Sequence, residues 1–109
     1  MQYIDAFNHF FPKPLWEKIQ TFEGAGKNIG KRMQGIPCIH DLEERFKVIK
    51  PFENYRQILS LGMPPVEQMG SPEQTPELAR LGNEGFAELV SKYPEHFPGY
   101  LTALPMNNP

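Results

Sequence analysis

Asp5, Phe7 and His9 lie at i, i+2 and i+4 near the start of the chain, a spacing that puts them on one face if the strand stays extended through them. An imidazole at the C-terminal end of such a strand can accept a proton or ligate a divalent ion. In a barrel of parallel strands that end is the floor of the active site. Spacing alone leaves the ordinary alternative standing, a structural histidine that hydrogen-bonds just after a strand. Ser60 and the loop Gly62 to Pro65 follow a second apolar run on the same side and could line a pocket. His40, directly before Asp41 at a helix start, reads as a solvated flank. His96 lies in the Tyr93-Pro94-Glu95-His96-Phe97-Pro98 turn, at the opposite end of the strands, and reads as structural. Glu43, Glu44 and Arg45 read as a charged helix face, with Arg45 close enough to the apolar side to meet an internal carboxylate. Cys38 is the single cysteine, which excludes an internal disulfide and a Cys-based zinc motif; it reads as a small buried hydrophobe. No nucleophile elbow, phosphate loop or dinucleotide fingerprint is present.

Elements that could position these groups follow from periodicity. Gln2 to Phe7 is short and apolar, as a buried first strand is, and Pro12 and Pro14 close it. Leu15, Ile19 and Phe22 repeat at helical spacing behind Pro14, which predicts a helix from about Pro14 to Phe22, ended by Gly24 and Gly26. From Gly24 to Cys38 no period is sustained, and a flexible loop is expected. Asp41 caps a second helix, with Glu44 completing a capping-box-like pair; Leu42, Phe46 and Ile49 form its apolar stripe and Pro51 stops it. Tyr55 to Leu61 reads as the second strand. Thr75-Pro76, a hydroxyl cap before proline, opens a helix that runs to about Lys92. Gly82 and Gly85 weaken it unless a close backbone contact requires them. Gly99 to Leu104 reads as the third strand.

Strands separated by helices need crossover connections and hence lie parallel. The fold class is therefore α/β: about three parallel strands with intervening helices, the N-terminal part of a (β/α)₈ barrel, since a closed barrel takes ~250 residues. Residues 1–109 read as a single partial domain. Leu, Ile, Val and Phe supply 27 of the 109 residues, enough for collapse, and the twelve prolines and nine glycines are scattered as turn punctuation. A net charge of −2 without a basic stripe argues against nucleic acid as a partner. The start of the chain lacks a signal-peptide pattern and no run is long enough to span a membrane, so no membrane partner and a cytoplasmic location are expected.

The opening Ile4-Asp5-Ala6-Phe7-Asn8-His9-Phe10-Phe11-Pro12 resembles that of the amidohydrolase-related family, in the branch of aminocarboxymuconate-semialdehyde decarboxylase-like proteins: an Ile-Asp, a His-x-His metal motif, then a proline. Tyr55 to Leu61 with Pro64-Pro65 is similar to that family's second strand and loop, Pro76 to Pro94 to its next helix, and Phe97 to Tyr100 with Ala103 to Pro105 to its third strand. The resemblance implies a metal-dependent hydrolase or carboxy-lyase acting on a small carboxylated substrate, unsaturated or aromatic. It also implies a divalent metal, zinc in most members, that lowers the pKa of bound water towards ~7. His9 matches the motif's second histidine and is the candidate metal ligand and catalytic base. Phe7 stands at the first and cannot ligate; Asn8 could substitute for it only through a bulge. The alternative is a non-catalytic or truncated barrel relative that acts as an interaction module, and a homo-oligomer is compatible with either.

Overall fold

Three strands, β1 (Tyr3–His9), β2 (Tyr55–Ser60) and β3 (Gly99–Tyr100), form one parallel sheet in the order β1-β2-β3. The computed structural model describes residues 1–22 and 31–109. Helix α1 (Lys13–Gln20) follows β1, α2 (Leu42–Ile49) precedes β2, and α3 (Thr75–Lys92) connects β2 to β3. Short 3₁₀ turns occupy Pro37–Ile39 and Val66–Gln68. The sequence expectation of a loop from Gly24 to Cys38 falls partly outside the described residues. Within them, residues 31–34 are helical.

Local chemistry explains where the helices start. Pro14 sits in the first turn of α1, where its missing N–H costs nothing, and Leu15 and Ile19 bury one turn apart. Asp41 caps α2 by accepting from the backbone N–H groups of Glu43 and Glu44, at 3.0 and 3.4 Å. The Glu44 carboxylate pairs with Lys47 at 2.8 Å, and only the Asp41 half of the expected capping box is seen. Thr75 departs from expectation as well. Gln74 holds the N-cap position of α3, and the fully buried Thr75 hydroxyl donates to Asn107 Oδ1 at 2.6 Å, which ties the tail after β3 to the helix. The tail is held again by Asn83, whose amide exchanges hydrogen bonds with Ala103 N and O at 2.8 and 2.9 Å. β3 itself is only two residues long, because pairing with β2 ends once Leu101 N has reached Leu59 O.

The two faces of the sheet differ. Leu59 is fully buried with Ile49 of α2, Phe86 of α3, Phe10 and Phe97, while Phe11, Leu15 and Ile19 pack with Leu78 and Ala79 in an adjoining core. Complete burial of a Leu or Phe side chain stabilises by ~1.5–3 kcal/mol, so these side chains hold the helices to the sheet. The opposite face carries Ile4, Phe7 and Leu101, which are 55%, 84% and 58% exposed. Close approach of α3 to the start of α1 depends on Gly85: a Cβ there would stand 2.3 Å from Pro12 Cβ. At Gly82 the nearest atoms are the movable ends of Leu15 and Leu61, at 3.2 and 3.3 Å.

Gly85→Ala is therefore expected to lower stability by ~1–3 kcal/mol through overpacking at Pro12. That outweighs the ~1 kcal/mol that alanine adds to a helix interior. Gly82→Ala should cost less. Urea midpoints of the two variants check the order; a Gly85→Ala protein as stable as its parent would contradict the contact.

Candidate functional site

β1 is not a regular strand. Asp5 lies opposite Gln57, but Asn8 lies opposite Leu59 and His9 opposite Ser60, so β1 contains one residue more than β2 across the same stretch. Such a bulge changes which face the following residues take. Asp5 shares a side with Gln57 and Tyr55, the helix-covered side that Leu59 defines. Phe7 and His9 share the other, their rings meeting edge to face with centroids 5.0 Å apart. The expectation that Asp5, Phe7 and His9 line one face is thus corrected: the bulge removes Asp5 from the set.

Polar side chains fasten the bulge. Asp5 Oδ1 accepts from Phe7 N at 3.0 Å, and Oδ2 accepts from the Tyr55 hydroxyl at 2.8 Å. Gln57 Nε2 donates to that same hydroxyl at 3.1 Å. Burial raises the Tyr55 phenol above its ordinary pKa, a direction the Asp5 bond reinforces and the Gln57 bond opposes. Asn8 Nδ2 donates to the carbonyls of Asp5 and Ile58 at 2.9 and 2.8 Å, so its amide is occupied in holding the backbone.

Arg45 of α2, only 6% exposed, grips the end of the strand from the covered side. Its Nη2 donates to His9 O at 2.6 Å and to Asn8 Oδ1 at 3.4 Å, Nη1 reaches His9 O at 3.3 Å, and the guanidinium lies 5.1 Å from the centre of the Phe10 ring. Burial pulls its pKa below the ordinary value, against the attraction of Cys38, Tyr55 and Asp5. A guanidinium nevertheless keeps its proton in a protein. The partners of Arg45 are a carbonyl and an amide oxygen, not the carboxylate the sequence suggested.

On the open face His9 is half-buried, with Nδ1 3.1 Å from Ser60 Oγ. The Ser60 hydroxyl donates to Asn8 O at 2.9 Å. Gly62 lies beside the His9 side chain, since a Cβ added there would stand 3.2 Å from His9 Cβ and 3.4 Å from Cγ. The structure thus brings Ser60 and the start of the Gly62 to Pro65 loop to His9.

The other candidates lie elsewhere. His40 stacks on Trp16, rings parallel within 4° and 4.4 Å apart, and its Nε2 is buried without a partner among the described residues; it is not a solvated flank. A groove of about 660 Å³ opens beside that pair, lined also by Leu89 and Tyr93, on the helical side and away from His9. His96 is structural: its N–H donates to Tyr93 O, its carbonyl accepts from Gln57 N, and its ring packs on Phe46. Cys38 is half-buried, not buried. Sequence reasoning gave no role to Asn8 and Arg45 in holding His9. An Asp-x-x-Asn pair inside a strand, both residues prone to bond nearby backbone, is the signal that could have marked the bulge.

The resemblance to a zinc enzyme can be tested against these positions. Catalytic zinc takes three protein ligands and structural zinc four. Among the described residues no three His, Cys, Asp or Glu side chains gather closely enough to hold an ion. Asp5 is bonded on the covered side, Phe7 offers no donor, and Asn8 is engaged with backbone, which leaves His9 as a single ligand. These residues by themselves do not fit a metal centre. No protein-family model matches the chain, and a search of curated proteins finds no match either.

Replacing Arg45 by Leu removes charged hydrogen bonds to the end of β1 and is expected to destabilise by ~2–3 kcal/mol. Asn8→Ala should add less than its separate cost in the double variant, because the two side chains serve one carbonyl-rich segment. A double-mutant cycle by chemical denaturation measures this, and strict additivity would contradict the shared clamp.

Proposed function

We propose that the chain forms the opening strands of a (β/α)₈-barrel enzyme of the amidohydrolase-related type, a cytoplasmic hydrolase or carboxy-lyase acting on a small unsaturated or aromatic carboxylic acid, with His9 in its active site. The observation that carries this is the placement of His9 and Ser60: register partners at the C-terminal ends of two neighbouring parallel strands, on the face the helices leave open. In a closed barrel that face points inward and that end bears the chemistry. The strand order β1-β2-β3 in chain sequence, with α2 and α3 against a single face, supports the same reading, because a doubly wound sheet reverses direction and takes helices on both faces.

His9 is the group that moves a proton in this reading. It takes one from water in hydrolysis, or delivers one to the carbon that loses carbon dioxide in decarboxylation. Phe7, edge-on to His9 and 84% exposed, offers an apolar wall to an unsaturated or aromatic substrate. The zinc of the resemblance would find one ligand here in His9, and no step is assigned to it.

The test uses the full-length protein that carries these residues, purified with zinc supplied and challenged with small unsaturated and aromatic carboxylic acids. Carbon dioxide release or hydrolysis is expected. His9→Ala should lower kcat/KM by about a hundredfold or more, the usual contribution of a positioned acid–base group. Unchanged turnover in His9→Ala would contradict the assignment, and absence of any turnover would favour the second reading.

That reading, an interaction module, is favoured by the apolar open face and by the unpaired outer edges of β1 and β3 in the described sheet. The 109-residue chain should self-associate, and Phe7→Lys should shift it towards monomer in sedimentation velocity. A sharply melting monomer independent of concentration would contradict an uncovered core face.

A further inference from the structure

We propose that Ser60 is a positioning residue that fixes the imidazole of His9 in a single tautomer, proton on Nδ1 and lone pair on Nε2. A count of hydrogens leads there. Ser60 Oγ makes two short contacts, to Asn8 O at 2.9 Å and to His9 Nδ1 at 3.1 Å, and it owns one hydrogen. A carbonyl oxygen can only accept, so the Ser60 hydrogen goes to Asn8 O. The contact with His9 is then a hydrogen bond only if Nδ1 carries a proton and donates it to the lone pair of Oγ. Nε2 is left unprotonated in the neutral ring.

The surroundings make this relay rigid. Asn8 is anchored through its side chain to Asp5 O, Ile58 O and Arg45, so the carbonyl that receives the Ser60 proton is held in place. Gly62 passes close enough to His9 that a Cβ added there would crowd the imidazole, and Phe7 meets the ring edge-on. The order of donors therefore runs in one direction, imidazole to serine to carbonyl. The second nitrogen of a histidine oriented in this way is the one that takes a proton or an ion, because the partner of the first decides which tautomer is present. This deepens the reading of His9 as the proton-transfer group and rests on that reading for its purpose; the position of the proton is measured independently of any activity.

The experiment is nitrogen NMR of the full-length protein with ¹⁵N-labelled histidine, read on the neutral ring, with the His9 signals assigned through their loss in His9→Gln. Expected for the parent is a protonated, pyrrole-type Nδ1 and an unprotonated, pyridine-type Nε2 as the major form, with the ratio shifted about fivefold or more from that of Ser60→Ala, as one hydrogen bond of ordinary net strength gives. Ser60→Ala should reverse or level that ratio, and Ser60→Thr, which keeps the hydroxyl, should restore it. A parent protein with the proton on Nε2 overturns the proposal, as does a Ser60→Ala variant whose tautomer is unchanged. If Ser60→Ala does not fold, the parent spectrum and Ser60→Thr still decide. A parent with the proton on Nδ1 whose His9→Ala variant retains full turnover would remove the proposed function and leave the tautomer standing.

Discussion

One inserted residue in β1 decides which way His9 faces. Side chains alternate along a strand with a period of two, so a strand without the insertion would set Phe7 opposite Leu59 and carry His9 to the covered side. The bulge between Asp5 and Asn8 reverses that parity and delivers the imidazole to the open face. Bulges leave backbone groups unpaired, and here the side chains supply the missing partners: Asp5 takes the Phe7 N–H, Asn8 satisfies the Asp5 and Ile58 carbonyls, and Arg45 binds the carbonyl of His9.

Burying the Arg45 guanidinium is costly in desolvation, and its partners are neutral oxygens, not a carboxylate. The hydrogen bonds to His9 O and Asn8 and the contact with the face of Phe10 offset part of that cost. The three residues after His9 add support. Phe10, Phe11 and Pro12 are all buried, Phe10 N bonds Ser60 O, and Phe11 N bonds Ile39 O. Pro12 in turn packs against Gly85 of α3. The site thus stands on a strand end tied to each helix and not on a free loop, the arrangement that holds a reactive side chain to within a fraction of an ångström.

The elements themselves were legible in the sequence wherever a periodic pattern met a specific start signal. Asp41 before Leu42, Pro14 before Leu15 and the Tyr55 to Leu61 run all become the elements they suggest, and parallel pairing follows from the helices between strands. Gly85 likewise has the close contact that its place in a helix demanded. Thr75 misled, because a hydroxyl before proline caps a helix only when nothing better competes, and Asn107 in the tail competes. The apolar run Gly99 to Leu104 pairs only over Gly99–Tyr100, because such a run pairs only as far as a neighbouring strand is there to receive it. His9 could be singled out from its type and position, but its orientation could not. Period-two reasoning assumes regular geometry, and a bulge is fixed by side chains such as Arg45 that lie far along the chain.

The register of β1 against β2 in solution therefore bears on everything built upon it. Interstrand nuclear Overhauser contacts in isotope-labelled protein report that register directly. The bulged strand requires Asp5 opposite Gln57, Asn8 opposite Leu59 and His9 opposite Ser60. Contacts that place Phe7 opposite Leu59 and His9 opposite Leu61 would turn the imidazole beneath the helices and contradict the site.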